Sequence, residues 1–185
     1  MYERRTHMTR GFEIVSTYAN EGLHVPYRTT KRAAGYDFES AVDFTVPSIW
    51  KMDFLKVIWA IRHQKEVDKG ALEKAKKILK PFLIPTGIKA YMGADEVLIL
   101  ANRSSNPLKR GLVIPNGIGV IDADYYNNDS NEGEIFMQVL NFGLTDAKIA
   151  KGDRIGQGIF MHYLTADNEQ QPQQERQGGF GSSGK

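Results

Sequence analysis

The 185-residue sequence contains no cysteine, which excludes a disulfide framework, a thiolate nucleophile and a cysteine-ligated zinc site. It has no run of about 18 apolar residues, the length a helix needs to cross a bilayer. Its first residues, Met-Tyr-Glu-Arg-Arg-Thr-His-Met, lack the apolar core of a signal peptide. Charge of one sign is scarce as well: the net is +2, too little to coat a polyanion, so direct nucleic-acid binding is not expected. Histidine occurs only at His7, His24, His63 and His162, with no His-x-x-x-His spacing that would suggest zinc. These absences leave a cytoplasmic protein without membrane association as the expectation.

What is present fits one compact domain, expected over residues 9–185, because a content of 41% hydrophobic residues can supply a core for a chain of this length. Short apolar runs with strand-like patterning recur at 12–18, 38–46, 84–91, 97–101, 111–114, 134–142 and 155–163, separated by Gly, Pro and Asn. No helical crossovers lie between them, so the pattern predicts an all-β jelly roll rather than βαβ units. One segment differs. Over 48–82 apolar residues fall at Trp50, Phe54, Val57, Ile58 and Ile61, then at Leu72, Ala75, Ile78 and Leu79, which is helical spacing. Asp68 is a candidate cap and Lys80-Pro81 a stop, so a helical hairpin turning near 67–70 is predicted. Its apolar stripe is expected to pack on the jelly roll; the alternative is a docking surface for another protein.

The polar signals are concentrated in five blocks. In Gly119-Val-Ile-Asp-Ala-Asp-Tyr125 a carboxylate, Asp122, and an aromatic ring, Tyr125, stand three residues apart directly after an apolar strand. Around it lie Ala34-Gly-Tyr-Asp37, Arg103-Ser-Ser105, Gly152-Asp-Arg-Ile-Gly-Gln157 and Gly178-Gly-Phe-Gly-Ser-Ser-Gly184. A nucleoside triphosphate requires cations, oriented donors for its oxygens and a base to take a proton from water. Arg103 offers a planar fork for phosphate oxygens. The glycines of the last block expose backbone amides, and Ser182 and Ser183 add hydroxyls. Phe180 gains little in such a polar arm unless it stacks on something. Asn116, with Pro115 and Gly117 beside it, has the turn chemistry of a hairpin and an amide that can both donate and accept.

Together, in this order over about 13–185, the five blocks resemble the motifs of the homotrimeric dUTP nucleotidohydrolases (dUTPases). The resemblance implies a distorted jelly roll, a homotrimer whose C-terminal segments are exchanged around a three-fold axis, and active sites shared between subunits. It implies hydrolysis of dUTP to dUMP and pyrophosphate, which keeps uracil out of DNA and supplies dUMP for thymidylate synthesis. Carried over residue by residue, Asp122 is the general base that activates water, standing beside Ser104 and Gln157. Tyr125 underlies the deoxyribose and excludes UTP. Asn116 reads the uracil edge together with backbone groups of the hairpin that contains Gly119 and Ile121. Ser104 and Ser105 contact the phosphates, Gln157 donates to the α-phosphate, and Arg103 orders Asp122 or the arm. Arg176, Phe180, Gly181, Ser182 and Ser183 belong to the arm, 166–185, with the ring over the base and the serines on the γ-phosphate. Mg²⁺ is implied as cofactor, with Asp37 as a ligand through water; magnesium keeps much of its hydration shell, so one carboxylate suffices.

The chain departs from the family pattern in three places. The segment 48–82 replaces a short loop, the turn after Tyr125 is lengthened through residues 126–132, and Arg176 precedes Phe180 by four residues rather than five. Arg154 is read as structural. Two rival readings stand beside the dUTPase one. A dCTP deaminase-type enzyme shares the fold, and a regulatory protein would act through the insert.

Overall fold

The structure, a computed structural model, describes residues 9–169. Eleven strands are ordered β1 (Gly11–Ile14), β2 (Tyr36–Glu39), β3 (Phe44–Val46), β4 (Phe82–Pro85), β5 (Ile88–Tyr91), β6 (Glu96–Ala101), β7 (Leu112–Val113), β8 (Ile118–Asp122), β9 (Phe136–Asn141), β10 (Ala147–Ile149) and β11 (Arg154–His162), with helices α1 (Met52–Arg62) and α2 (Lys69–Ile78) between β3 and β4. Every strand pair is antiparallel: a four-stranded sheet β2-β11-β6-β8, a three-stranded sheet β4-β9-β7, and the pairs β1-β5 and β3-β10. The mostly β architecture is the jelly-roll class read from the sequence.

Alternation explains the layering. Along β6, Glu96, Leu98 and Leu100 are buried while Val97, Ile99 and Ala101 face outward, as the two-residue period of a strand requires. The inward residues join Phe38, Ile84, Ile121, Met137, Val139 and Ile155 in one core between the sheets. Several expected strands are interrupted. The run at 12–18 ends as a strand at Ile14 and continues as a single 3-10 turn. The run at 84–91 breaks at Gly87, whose φ of 66° an L side chain rarely adopts. The run at 38–46 splits into β2 and β3.

The helical hairpin forms where its spacing indicated. The Asp68 carboxylate accepts from Ala71 N at 2.7 Å, a cap that stabilises α2 by about 1 kcal/mol. The apolar stripe does not pack on the jelly roll as expected: Val57, Ala71 and Ala75, with Phe54, Val67 and Leu72, form a separate small cluster between α1 and α2. The physical reason is length, because two antiparallel helices can bury one stripe against each other without reaching the sheets. Trp50 ties the start of the insert to the body by donating from Nε1 to Phe142 O at 3.0 Å. Leu55, Ile58, Trp59 and Ile61 on α1 remain exposed.

Candidate active site

The outward face of the four-stranded sheet is built by strand register. Gln157 on β11 pairs with Asp37 on β2 and with Ala101 on β6, and Ala101 pairs with Ile118 on β8. Directly opposed residues share a face, so Asp37, Gln157, Ala101 and Ile118 form one row. Two rungs further, Ile159, Ile99 and Val120 form a second row; two more, Met161, Val97 and Asp122 form a third. The panel is apolar except at its ends.

At one end is a cationic cluster. Asp37, almost fully buried, accepts from Arg103 Nε at 2.9 Å on one carboxylate oxygen and from Arg154 NH1 at 3.1 Å on the other. Within one chain Arg103 thus bonds the Ala34–Asp37 block. Arg154, read as structural, is the second cation on that carboxylate, brought there by the pairing of β11 with β2. Gln157 Nε2 donates to Asn102 O at 3.1 Å, which holds the amide against the exit of β6, immediately before Arg103, Ser104 and Ser105. Gly35 makes room for it, because a Cβ there would lie 2.5 Å from Gln157 Oε1.

The hairpin lies at the other edge. Gly117, with φ of 76°, turns the chain, and its N–H donates to Ile114 O at 3.1 Å. This sets Asn116 at the tip, in the open. A cavity of about 180 Å³ lies behind it, lined by Leu100, Ile114, Asn116, Gly119, Ile121 and Gln138 among others. Among the described residues β8 lies in the sheet beside β6, and β7 meets β9 at Leu140 and Asn141, so the backbones of β8 and of 136–138 border the cavity. Such backbones offer the alternating donors and acceptors that a planar pyrimidine can match.

Tyr125 follows β8 in a single 3-10 turn and is 5% exposed. Its hydroxyl donates to Glu134 O at 2.8 Å and accepts from Asn131 Nδ2 at 2.9 Å. The ring belongs to the core as much as to any site. Nearby, burial pushes the Glu134 carboxyl above its usual range, against a hydrogen bond from Gly87 N.

The resemblance implies Asp122 beside Ser104 and Gln157 in sites shared between subunits; within one chain the strand register separates Asp122 from Gln157. Asp122 pairs with Val97, four residues along β6 from Ala101. Four rungs and two strand spacings put the backbones of Asp122 and Gln157 about 16 Å apart. Asp37, Arg103 and Gln157 come together, with Ser104 and Ser105 next in the chain; Asn116, Gly119 and Ile121 line one cavity, while Asp122, at the far end of β8, and Tyr125 after it lie outside that lining. Arg176, Phe180, Gly181, Ser182 and Ser183 lie outside the described residues.

Mg²⁺ fits this donor set in only one way. Among the described residues no group of three or more His, Asp or Glu could hold a metal ion. The Asp37 carboxylate keeps lone pairs beyond those used by the two guanidiniums, enough to accept from metal-bound water. Among the same residues no helix is long and apolar enough to cross a membrane.

A family model described as dUTPase matches residues 73–184. The deoxyuridine 5'-triphosphate nucleotidohydrolase of Lactococcus lactis is 46% identical over 95% of this chain and 97% of its own length. Among solved structures, the dUTPase from Streptococcus mutans is 38% identical and aligns with a TM-score of 0.66 over 85% of this chain and 99% of that one. A D95N mutant dUTPase from phage phi11 of S. aureus, 18% identical, shares the fold with a TM-score of 0.59 over 88% of this chain and 95% of that one.

Proposed function

The chain belongs to the dUTPase family and hydrolyses dUTP to dUMP and pyrophosphate, and we propose that it does so in sites assembled between subunits of a homotrimer. The observation that carries the shared site is the separation of Asp122 from Gln157 on one apolar panel. Reacting groups must approach to about 3–3.5 Å, so a second copy has to bring its Asp122 to the first copy's cationic end. The panel itself favours this: Ile118, Val120 and Met161 are each about half exposed in the isolated chain, an apolar area of the kind that marks an interface.

In this reading Asp122 takes the proton from a water that attacks the α-phosphorus, the bond from that phosphorus to the α–β bridging oxygen breaks, and pyrophosphate leaves. Gln157 donates to the α-phosphate and Ser104 and Ser105 to neighbouring oxygens, where charge develops. Arg103 and Arg154 supply positive potential while holding Asp37 in place. Asp37 would hold Mg²⁺, which dUTPases in general require, through water, and the ion would supply charge neutralisation for the triphosphate. Asn116, Gly119 and Ile121 receive uracil in the cavity behind the hairpin, and the Tyr125 ring borders the sugar. The arm residues Arg176, Phe180, Gly181, Ser182 and Ser183 close over the nucleotide.

Incubating the protein with each deoxynucleoside triphosphate and Mg²⁺ and resolving the products tests the activity. Release of dUMP and pyrophosphate from dUTP is expected; ammonia from dCTP would revive the deaminase alternative. Deleting residues 176–185 tests the arm and is expected to abolish turnover with the thermal midpoint kept. A second reading, of the insert as a docking surface for a protein partner, is favoured by Trp59, 51% exposed beside Ile58 and Ile61 on α1. Equal capture of partners by intact protein and by a variant lacking residues 49–81 would remove it.

A further inference from the structure

The loop 126–132, which lengthens the turn after Tyr125, is bonded back onto that tyrosine. Asn128 Nδ2 donates to Tyr125 O at 2.9 Å and to Asn131 Oδ1 at 2.8 Å, and Asn128 Oδ1 accepts from the backbone N–H of Ser130 at 3.0 Å. Asn131 Oδ1 also accepts from Gly133 N at 3.2 Å. With its oxygen so engaged, the amide of Asn131 is oriented: Nδ2 must point away, and it donates to Tyr125 Oη at 2.9 Å and to Glu134 O at 3.2 Å. The Tyr125 hydroxyl closes the triangle on Glu134 O. Gly133 allows the tight return; with φ of 80°, it has Tyr125 O only 2.6 Å from where a Cβ would stand.

The outer end of the loop is anchored on other elements. Lys89 Nζ on β5 donates to Asn127 Oδ1 at 2.6 Å, and Glu132 accepts from the Ser16 backbone N–H at 3.1 Å and from its hydroxyl. Asn131 is held at its amide oxygen and at its backbone, where its N–H donates to Asn128 Oδ1 at 3.2 Å and its carbonyl accepts from Glu134 N at 3.0 Å, and its Nδ2 is shared between the phenol and Glu134 O.

We propose that Asn131 is a positioning residue for sugar selectivity: it fixes the Tyr125 ring from its far end, so that the ring cannot yield to a 2′-hydroxyl. The proposal rests on the reading that Tyr125 borders the deoxyribose. Selectivity by exclusion requires a wall that does not move, because a ring able to rotate or retreat accommodates the larger sugar at small cost. The core holds the body of the ring, and two hydrogen bonds at Oη hold its tip. A fully packed ring without them keeps the freedom to tilt.

The experiment compares kcat and KM for dUTP and UTP in four proteins: wild type, Asn131→Asp, Tyr125→Phe and the double variant. Aspartate keeps the acceptor oxygen that Asn128 and Gly133 use and replaces the donor to Tyr125 with a second acceptor, which competes with Glu134 O for the phenol proton. Asn131→Asp is expected to lower the dUTP-to-UTP ratio of kcat/KM about tenfold, mainly by lowering the KM for UTP, with kcat for dUTP within about threefold of wild type. Tyr125→Phe is expected to lower the ratio similarly. The double variant should be no worse than Tyr125→Phe, since phenylalanine already lacks the hydroxyl through which Asn131 acts. An unchanged ratio in Asn131→Asp, or additive losses in the double variant, would overturn the proposal. If Asn131→Asp does not fold, Asn131→Ala is read in the same way. A wild type that fails to cleave dUTP, or a Tyr125→Ala variant that keeps the full preference, would instead defeat the underlying reading of the site.

Discussion

Gln157 and Asp122 occupy diagonally opposite corners of one sheet face, the first paired with Ala101 and the second with Val97 on the same strand. Between the corners lie only apolar side chains. Neither corner is a complete site, and no rotamer of either residue spans about 16 Å. In the proposed shared site, burial of the panel against another copy would bring unlike corners together.

Complementation tests this arrangement. Asp122→Asn should lower turnover by at least about 10² while leaving nucleotide binding measurable, and Gln157→Ala should weaken phosphate positioning. When the two inactive proteins are unfolded together and refolded, mixed trimers contain sites with both an intact Asp122 and an intact Gln157. Recovered dUTP hydrolysis is expected. A mixture as inactive as its components would mean that each site is built from one chain.

Tyr125→Ala has two expected effects because the ring lies in the core cluster as well as at the site. Opening the space should narrow the gap between dUTP and UTP. It should also cost about 3 kcal/mol of stability, the usual loss for truncating a buried aromatic ring. Chemical denaturation checks the second effect. A variant of unchanged stability would show that the ring is not packed as described.

Gly35→Ala is a probe of Gln157 that touches no proposed substrate contact. The added methyl would stand 2.5 Å from Gln157 Oε1, and the amide, at the end of a flexible side chain, must move. A loss of about tenfold or more in kcat/KM for dUTP with little change in thermal midpoint is expected. Wild-type activity would indicate that Gln157 need not be where it is found.

Stability should fall at acid pH through Glu96. Its carboxyl is held below the usual value of 4.5, first by a hydrogen bond from the Arg10 side chain and then by Gly93 N. A depressed carboxyl contributes stability that is present above about 4.5 and is lost as pH falls through the lower folded value, where the unfolded chain already holds the proton. Glu132 and Asp146 are depressed as well, by Ser16 and Lys51 respectively, and act in the same direction. The Glu96→Gln variant should be less stable than wild type at pH 7 and lose less on going to pH 3. Parallel melting-temperature profiles would remove Glu96 from the acid limb.

Sequence alone determined the elements whose signals are local. The two-residue alternation of β6 and β9, the 3.6-residue spacing of α1 and α2, the Asp68 cap and the Asn116-Gly117 turn are all consequences of neighbours within a few positions. The five ordered blocks identified the family for the same reason, since each is a short segment with its own backbone and side-chain demands. Tertiary structure alone decided which blocks meet. Strand register set Asp37 against Gln157, placed Asp122 at the far corner and put Arg154 on Asp37, while anchoring of the loop 126–132 on Ser16 and Lys89 helped bring Asn131 to the phenol of Tyr125. Register depends on long-range pairing between segments up to a hundred or more residues apart, whose partners no local pattern specifies.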